Sequence, residues 1–277
     1  MVSREALFAG LLLILAIGGY VAGQQHSQPL SRPKASESIR VALPVTAQVL
    51  LAGGDRYLAA NIGTFRAMMV GTENLDADGY RVLARVQQDA ARLNPAQEDN
   101  YYTAQSILPW AGEVAPTQDI LRRATAARPH DFLPPFFLGF DYFYFDHEPA
   151  TGANWIKLAA NRSEPQNREA LLNIAGRWYE KGDDPRFAIQ MIEGLMQSTR
   201  NAALKQYLGL RVQRLQGLLA LREAAARFQK ASGKPASRLD ELVRAGFIAQ
   251  LPADPLGQGY ALDATGQPIL ITPKKPG

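Results

Sequence analysis

From Thr46 to about residue 256, apolar side chains recur at three- and four-residue spacing, and Gly, Pro or Asn cuts the pattern into segments. That periodicity confines the body to helices, because no run alternating apolar with polar residues appears before about residue 256. Helices are predicted over 46–70, 76–93, 97–112, 117–128, 133–145, 151–161, 166–181, 184–198, 201–231 and 237–246, with Gly53-Gly54-Asp55 as a break or turn. Connections of two to six residues make neighbours antiparallel. The expected fold class is all-α, an array of antiparallel helical hairpins. At 277 residues and 47% apolar content, the chain can bury a sizeable core, which excludes a wholly disordered polymer.

A repeat emerges by subtraction. Pro95 and Pro129 stand 34 residues apart and close similar phrases, Ala90-Ala91-Arg92-Leu93-Asn94-Pro95 and Ala124-Thr125-Ala126-Ala127-Arg128-Pro129. Ala90 and Ala124 share that spacing, and Leu158 follows after another 34 residues. A proline there stops the second helix of a pair, since it cannot continue the hydrogen-bond ladder. Leu138-Gly139, Tyr142 and Trp155 then fall at the spacing of the tetratricopeptide signature, as do Ile174-Ala175, Trp178, Gly182 and Met191. The chain resembles a tetratricopeptide-type repeat protein from about 64 to 198. It departs from the pattern at Ser163, where a proline is expected, and by a slip of about two residues in the fourth unit.

The resemblance implies a concave face lined by the first helix of each unit. Mapped onto this sequence, the partner-binding groove would comprise Tyr102, Trp110, Phe136, Phe140, Phe143, Tyr144 and Tyr179, with Ser106 and Leu172 beside them. Such an aromatic groove suits an amphipathic helix or an extended apolar peptide. It carries no lysine and arginine clamp for a carboxylate tail. The segment 132–145 is apolar almost all round, so its helix also fits the buried centre of a domain.

The N-terminus carries a different signal. After residues 1–5 comes an uncharged apolar run from Ala6 to Gly23, about 27 Å long as a helix. It reads as an uncleaved transmembrane anchor, a cleaved signal peptide being the competing reading. Residues 24–44, rich in Gln, Ser and Pro, read as a flexible tether. Arg4 favours a cytoplasmic N-terminus, which places the body on the periplasmic or outer side of the cytoplasmic membrane. The remaining divisions are repeats over 45–200, C-terminal helices over 201–250 and a tail over 251–277.

The helix 201–231 sets Lys205, Arg211, Arg214, Arg222, Arg227 and Lys230 against Glu223, which predicts one packed face and one solvated basic face. In the tail, Tyr260–Leu262 and Pro268–Ile271 flank an Asp-Ala-Thr-Gly turn, so a small β-hairpin is expected. Ser237 is placed to cap the helix before it. The phrase Leu251-Pro252-Ala253-Asp254-Pro255-Leu256-Gly257-Gln258-Gly259-Tyr260 is similar to one near the C-terminus of type II secretion major pseudopilins, where the loop is associated with calcium. The prepilin-cleavage phrase of that family is missing from the N-terminus.

The absence of cysteine removes disulfides, thiolate metal sites and cysteine nucleophiles. No GxSxG, HExxH, phosphate-binding glycine loop or dinucleotide fingerprint occurs. Asp141, Asp146, His147 and Glu148 form the best candidate acid–base or metal cluster. A net charge of +4 without a concentrated patch argues against nucleic acid. The expectation is a membrane-anchored scaffold or adaptor that docks protein partners in an envelope-associated assembly, without catalytic residues, metal or cofactor. An accessory part of a secretion or pilus-like system and an all-α hydrolase are the alternatives.

Overall fold

The computed structural model describes residues 13, 16–18, 20, 42–72 and 75–271. Over these the body is helical: α1 (Val45–Leu51), α2 (Arg56–Met68), α3 (Ala77–Leu93), α4 (Glu98–Ile107), a 3-10 turn (Pro109–Ala111), α5 (Val114–Ala127), α6 (Leu133–Tyr144), α7 (Pro149–Asn161), α8 (Pro165–Glu180), α9 (Pro185–Ser198), α10 (Ala202–Ser232) and α11 (Leu239–Arg244). The strands β1 (Tyr260–Leu262) and β2 (Pro268–Leu270) pair antiparallel, with Ala261 opposite Ile269. The anchor expected over 6–23 lies outside the described residues, apart from residues 13, 16–18 and 20. Among the described residues no helix is long and apolar enough to cross a membrane.

The helix boundaries follow local chemistry. The helix expected over 46–70 is two, because Gly53 and Gly54 take φ of 67° and 89° and Asp55 then caps α2 through the Tyr57 and Leu58 N–H groups. Asp76, Asp184 and Asn201 cap α3, α9 and α10 in the same way. Pro149, Pro165 and Pro185 open α7, α8 and α9, where a missing N–H costs nothing. The helix expected to reach residue 112 ends at Ile107, and Gly112 reverses the chain with φ of 91°. Arg238, not Ser237, holds the cap position of α11; the Ser237 N–H instead donates to the Glu241 carboxylate at 3.1 Å.

Successive helices pack on one another: α6 on α7, α7 on α8, α9 on α10. One core cluster runs from Leu83 and Tyr101 to Leu138, a second from Ala153 to Leu218. Arginines link successive loops. Arg162 donates through Nη1 to the Arg128 carbonyl, 34 residues back, at 3.2 Å. Arg128 in turn donates to the Ala96 carbonyl, 32 residues back, at 2.9 Å. Each arginine ties the loop closing one hairpin to the loop before it.

Gly139 and Gly152 let α6 and α7 cross closely. A Cβ on Gly139 would sit 2.8 Å from the Gly152 carbonyl oxygen, and one on Gly152 2.7 Å from that of Gly139. The obstruction is backbone, so Gly139→Ala must move a helix and should cost about 1–3 kcal/mol. Gly194→Ala, with nothing within 4 Å of the new Cβ in mid-helix, should be neutral or stabilising. Urea midpoints of the two variants check this pair; equal shifts would refute the close crossing.

The tail folds back on the C-terminal half of α10. Leu221, Ala224 and Ala225 form a small cluster with Ala236 and Leu242, on which Tyr260 and Leu262 pack. The Tyr260 hydroxyl donates to the Arg214 carbonyl at 3.0 Å, and its ring fills space that a Cβ on Gly217 would obstruct.

Candidate functional site

Leu133–Tyr144 of α6 resolves into three faces. Leu138, Gly139 and Asp141 are buried, Phe136, Phe140 and Phe143 are half-buried, and Tyr144 is exposed. The aromatic segment is therefore core on one side and surface on another. Its surface side meets the 3-10 turn, where Pro109 opens the turn and Trp110 projects outward, 59% exposed.

Trp110 gathers the exposed rings. Its centroid lies 5.4 Å from Tyr144, 6.3 Å from Phe140 and 5.1 Å from Phe145. Phe140 and Tyr144, one helical turn apart, stack with 9° between their planes at 5.3 Å. Phe145 completes the group edge-on to Phe140, 6.1 Å away. Tyr144 is half exposed and Tyr102, 37% exposed, lies edge-on to Phe137 at 5.5 Å. Tyr102, Trp110, Phe140 and Tyr144 thus lie on surface-facing parts of α4, the 3-10 turn and α6.

The other expected groove residues go elsewhere. Tyr179 is 1% exposed, and its hydroxyl donates to Asn154 Oδ1 at 2.6 Å. Burial pushes that hydroxyl well above the usual tyrosine range. Tyr179 is a core residue and cannot line an open groove, and Leu172 is buried beside it in the same cluster. Phe143 stacks on Trp178 at 4.2 Å, with the Lys181 ammonium 5.0 Å from its ring. Phe136 packs on the second core cluster. Ser106 is spent on its own helix, donating to the Tyr102 carbonyl at 2.8 Å.

The acidic cluster does not converge. Asp141 is buried and accepts from Gln105 Nε2 at 2.9 Å, whereas Asp146 accepts from Gln118 Nε2 at 2.6 Å. Burial raises the Asp141 carboxyl to about 7, and the Asp146 charge adds to the rise while Gln105 opposes it. Among the described residues no group of three His, Asp or Glu could hold a metal.

Pattern reasoning misplaced the basic side of α10. Arg211 and Arg214 are buried, not solvated. Both pair with the buried Glu180 of α8: Arg211 through Nη1, Arg214 through Nη1 at 3.1 Å. Arg214 Nε also reaches Asp254 at 3.0 Å, and its Nη2 donates to the Ile271 carbonyl at 2.7 Å. Asp254 accepts the N–H groups of Leu256, Gln258 and Gly259. Its burial works against ionisation, but those N–H groups and Arg214 hold its pKa below the usual carboxylate range. Asp254 is thus the hub that locks the tail to α10, and its oxygens are committed to that task. The one signal in the sequence was the run of arginines on an otherwise apolar helix, which period alone assigns to solvent.

Comparison with known proteins finds no matching family model, curated protein or solved structure.

Proposed function

We propose that this chain is a tetratricopeptide-type adaptor that docks a protein partner in an envelope-associated assembly. Residues 6–23 hold it to the cytoplasmic membrane, and the body faces the periplasm. The observation that carries the reading is the Trp110 group. Four large rings, Trp110, Phe140, Tyr144 and Phe145, pack on one another at the surface and leave Trp110 and Tyr144 half in water or more. The exposed part of each ring adds a large rigid apolar area on contact and brings little conformational entropy to lose. Exposed aromatic anchors of this kind carry most of the free energy in protein interfaces. An amphipathic helix or an extended apolar peptide supplies the matching surface.

The test is recovery of co-purifying partners from detergent-solubilised membranes with wild type and with Trp110→Ala/Tyr144→Ala. Two lost anchors at about 2 kcal/mol each predict loss of recovery by well over tenfold. Helix content should not change, since neither side chain belongs to the core. Full recovery with an intact fold would refute the aromatic surface as the dock.

A further inference from the structure

A cavity of about 630 Å³ lies between α8, α10 and the β-hairpin. We propose that it binds the phosphate group of a phosphomonoester whose organic part rests on Leu218, Ile269 and Leu270.

Charge is the first argument. Arg177, Lys181, Arg211, Arg214 and Arg222 line the cavity together with Glu180 and Asp183. Asp254 stands behind Arg214, so three carboxylates face five cations and two positive charges remain in excess. A phosphomonoester carries about −1.5 to −2 charges at neutral pH, which matches that excess; a carboxylate carries one.

Unused donors are the second argument. The Arg211 side chain is only 7% exposed, and its Nη1 and Nη2 are taken by Glu180 and by the Tyr207 hydroxyl. Its Nε is buried with no partner. A buried guanidinium N–H left unbonded costs free energy that an anionic oxygen would restore. Arg177, exposed at the edge, forms no hydrogen bond or ion pair among the described residues. Its charge, with that of Arg214, adds to burial in lowering the Arg211 pKa to about 10. Two guanidinium groups held close enough to repel one another make a ready site for a bidentate dianion.

Shape is the third argument. The volume falls within the range of small-molecule pockets, and the hairpin adds Ile269 and Leu270 as apolar lining. Arg214, through Asp254 and Ile271, helps hold the tail on α10 and so closes that side of the cavity.

The probes are phenyl phosphate and benzoate, titrated calorimetrically into the full chain. They share a ring but differ in charge. Phenyl phosphate should bind saturably at one site, and benzoate at least about tenfold more weakly. Arg177→Ala/Lys181→Ala removes two exposed cations without touching the buried pairs, and should weaken phenyl phosphate about tenfold or more. Lys205→Ala, on α10 but outside the cavity, should leave binding unchanged. Absence of saturable binding, equal affinity for benzoate, or an unaffected double variant would each overturn the proposal. Short-chain phosphatidic acid, titrated into the detergent-solubilised full chain, identifies the source. Binding tighter than that of phenyl phosphate, and lost in the double variant, marks a lipid headgroup. Phenyl phosphate binding with no gain from the acyl chains marks a soluble phosphomonoester.

Discussion

Arg214→Met should destabilise the full chain by about 3–5 kcal/mol, the largest loss expected from any single substitution here. The guanidinium serves Glu180, Asp254 and the Ile271 carbonyl at once, and is itself buried. Its removal leaves Glu180 with Arg211 alone and takes away the cation facing Asp254. The tail should detach before the helices melt, because Arg214 supplies two of its polar links to α10. Limited proteolysis should therefore cut within 251–271 under conditions where wild type is protected, and the thermal midpoint should fall by roughly 6–15 °C. Arg186→Ala is the control. Its bridge to Glu223 joins two exposed side chains and is worth less than about 1 kcal/mol. If both variants melt alike, the buried cluster is not what holds the tail. The Asp254 contribution has a definite sign in pH. Its folded pKa lies below the ordinary 3.8, so the stabilisation is complete above that value and is lost as pH falls through the folded one.

Asp141→Asn should have the opposite outcome, a gain in stability that grows with pH. In wild type the unfolded chain releases the Asp141 proton near 3.8, whereas the folded chain keeps it up to about 7. Between those values stability falls as pH rises, by at most about 1.4 kcal/mol per unit, and above about 7 the loss is complete. The folded environment shows why the proton stays. Asp141 Oδ2 and Gln105 Oε1 are both buried acceptors with no donor, while Gln105 Nε2 already serves Asp141 Oδ1. A proton on Oδ2 removes the charge from a buried oxygen that no donor meets, and the asparagine amide carries no charge at any pH. Urea titrations from pH 4.5 to 8 should show wild type losing roughly 2–4 kcal/mol relative to the variant. Parallel curves would show that Asp141 is ionised throughout.

The legibility of this chain varied with the range of the interaction. Asp55, Gly53, Gly54 and Pro149 set helix ends through contacts with their own neighbours, so the Gly53-Gly54-Asp55 turn was legible even though the expected helix ran across it, and the start of α7 was legible to within two residues. The β-hairpin was legible for the same reason: Asp263 accepts the Thr265 and Gln267 N–H groups two and four residues on. Tyr179 was not. Its place in a first-helix pattern said which side of α8 it occupied, not that Asn154 would wait there for its hydroxyl. Nor was Arg211, whose partner Glu180 lies on another helix.

The sequence by itself determined that the body is a succession of helices with a short hairpin at its end, because propensity, capping and turn chemistry act within a few residues. Only the tertiary structure decided which polar groups go inside. A buried charge is tolerated where a distant carboxylate or carbonyl meets it, and pairings such as Arg214 with Asp254, 40 residues apart, leave no trace in local periodicity. That is why an arginine-bearing face that reads as solvated became the seam between the helices and the tail.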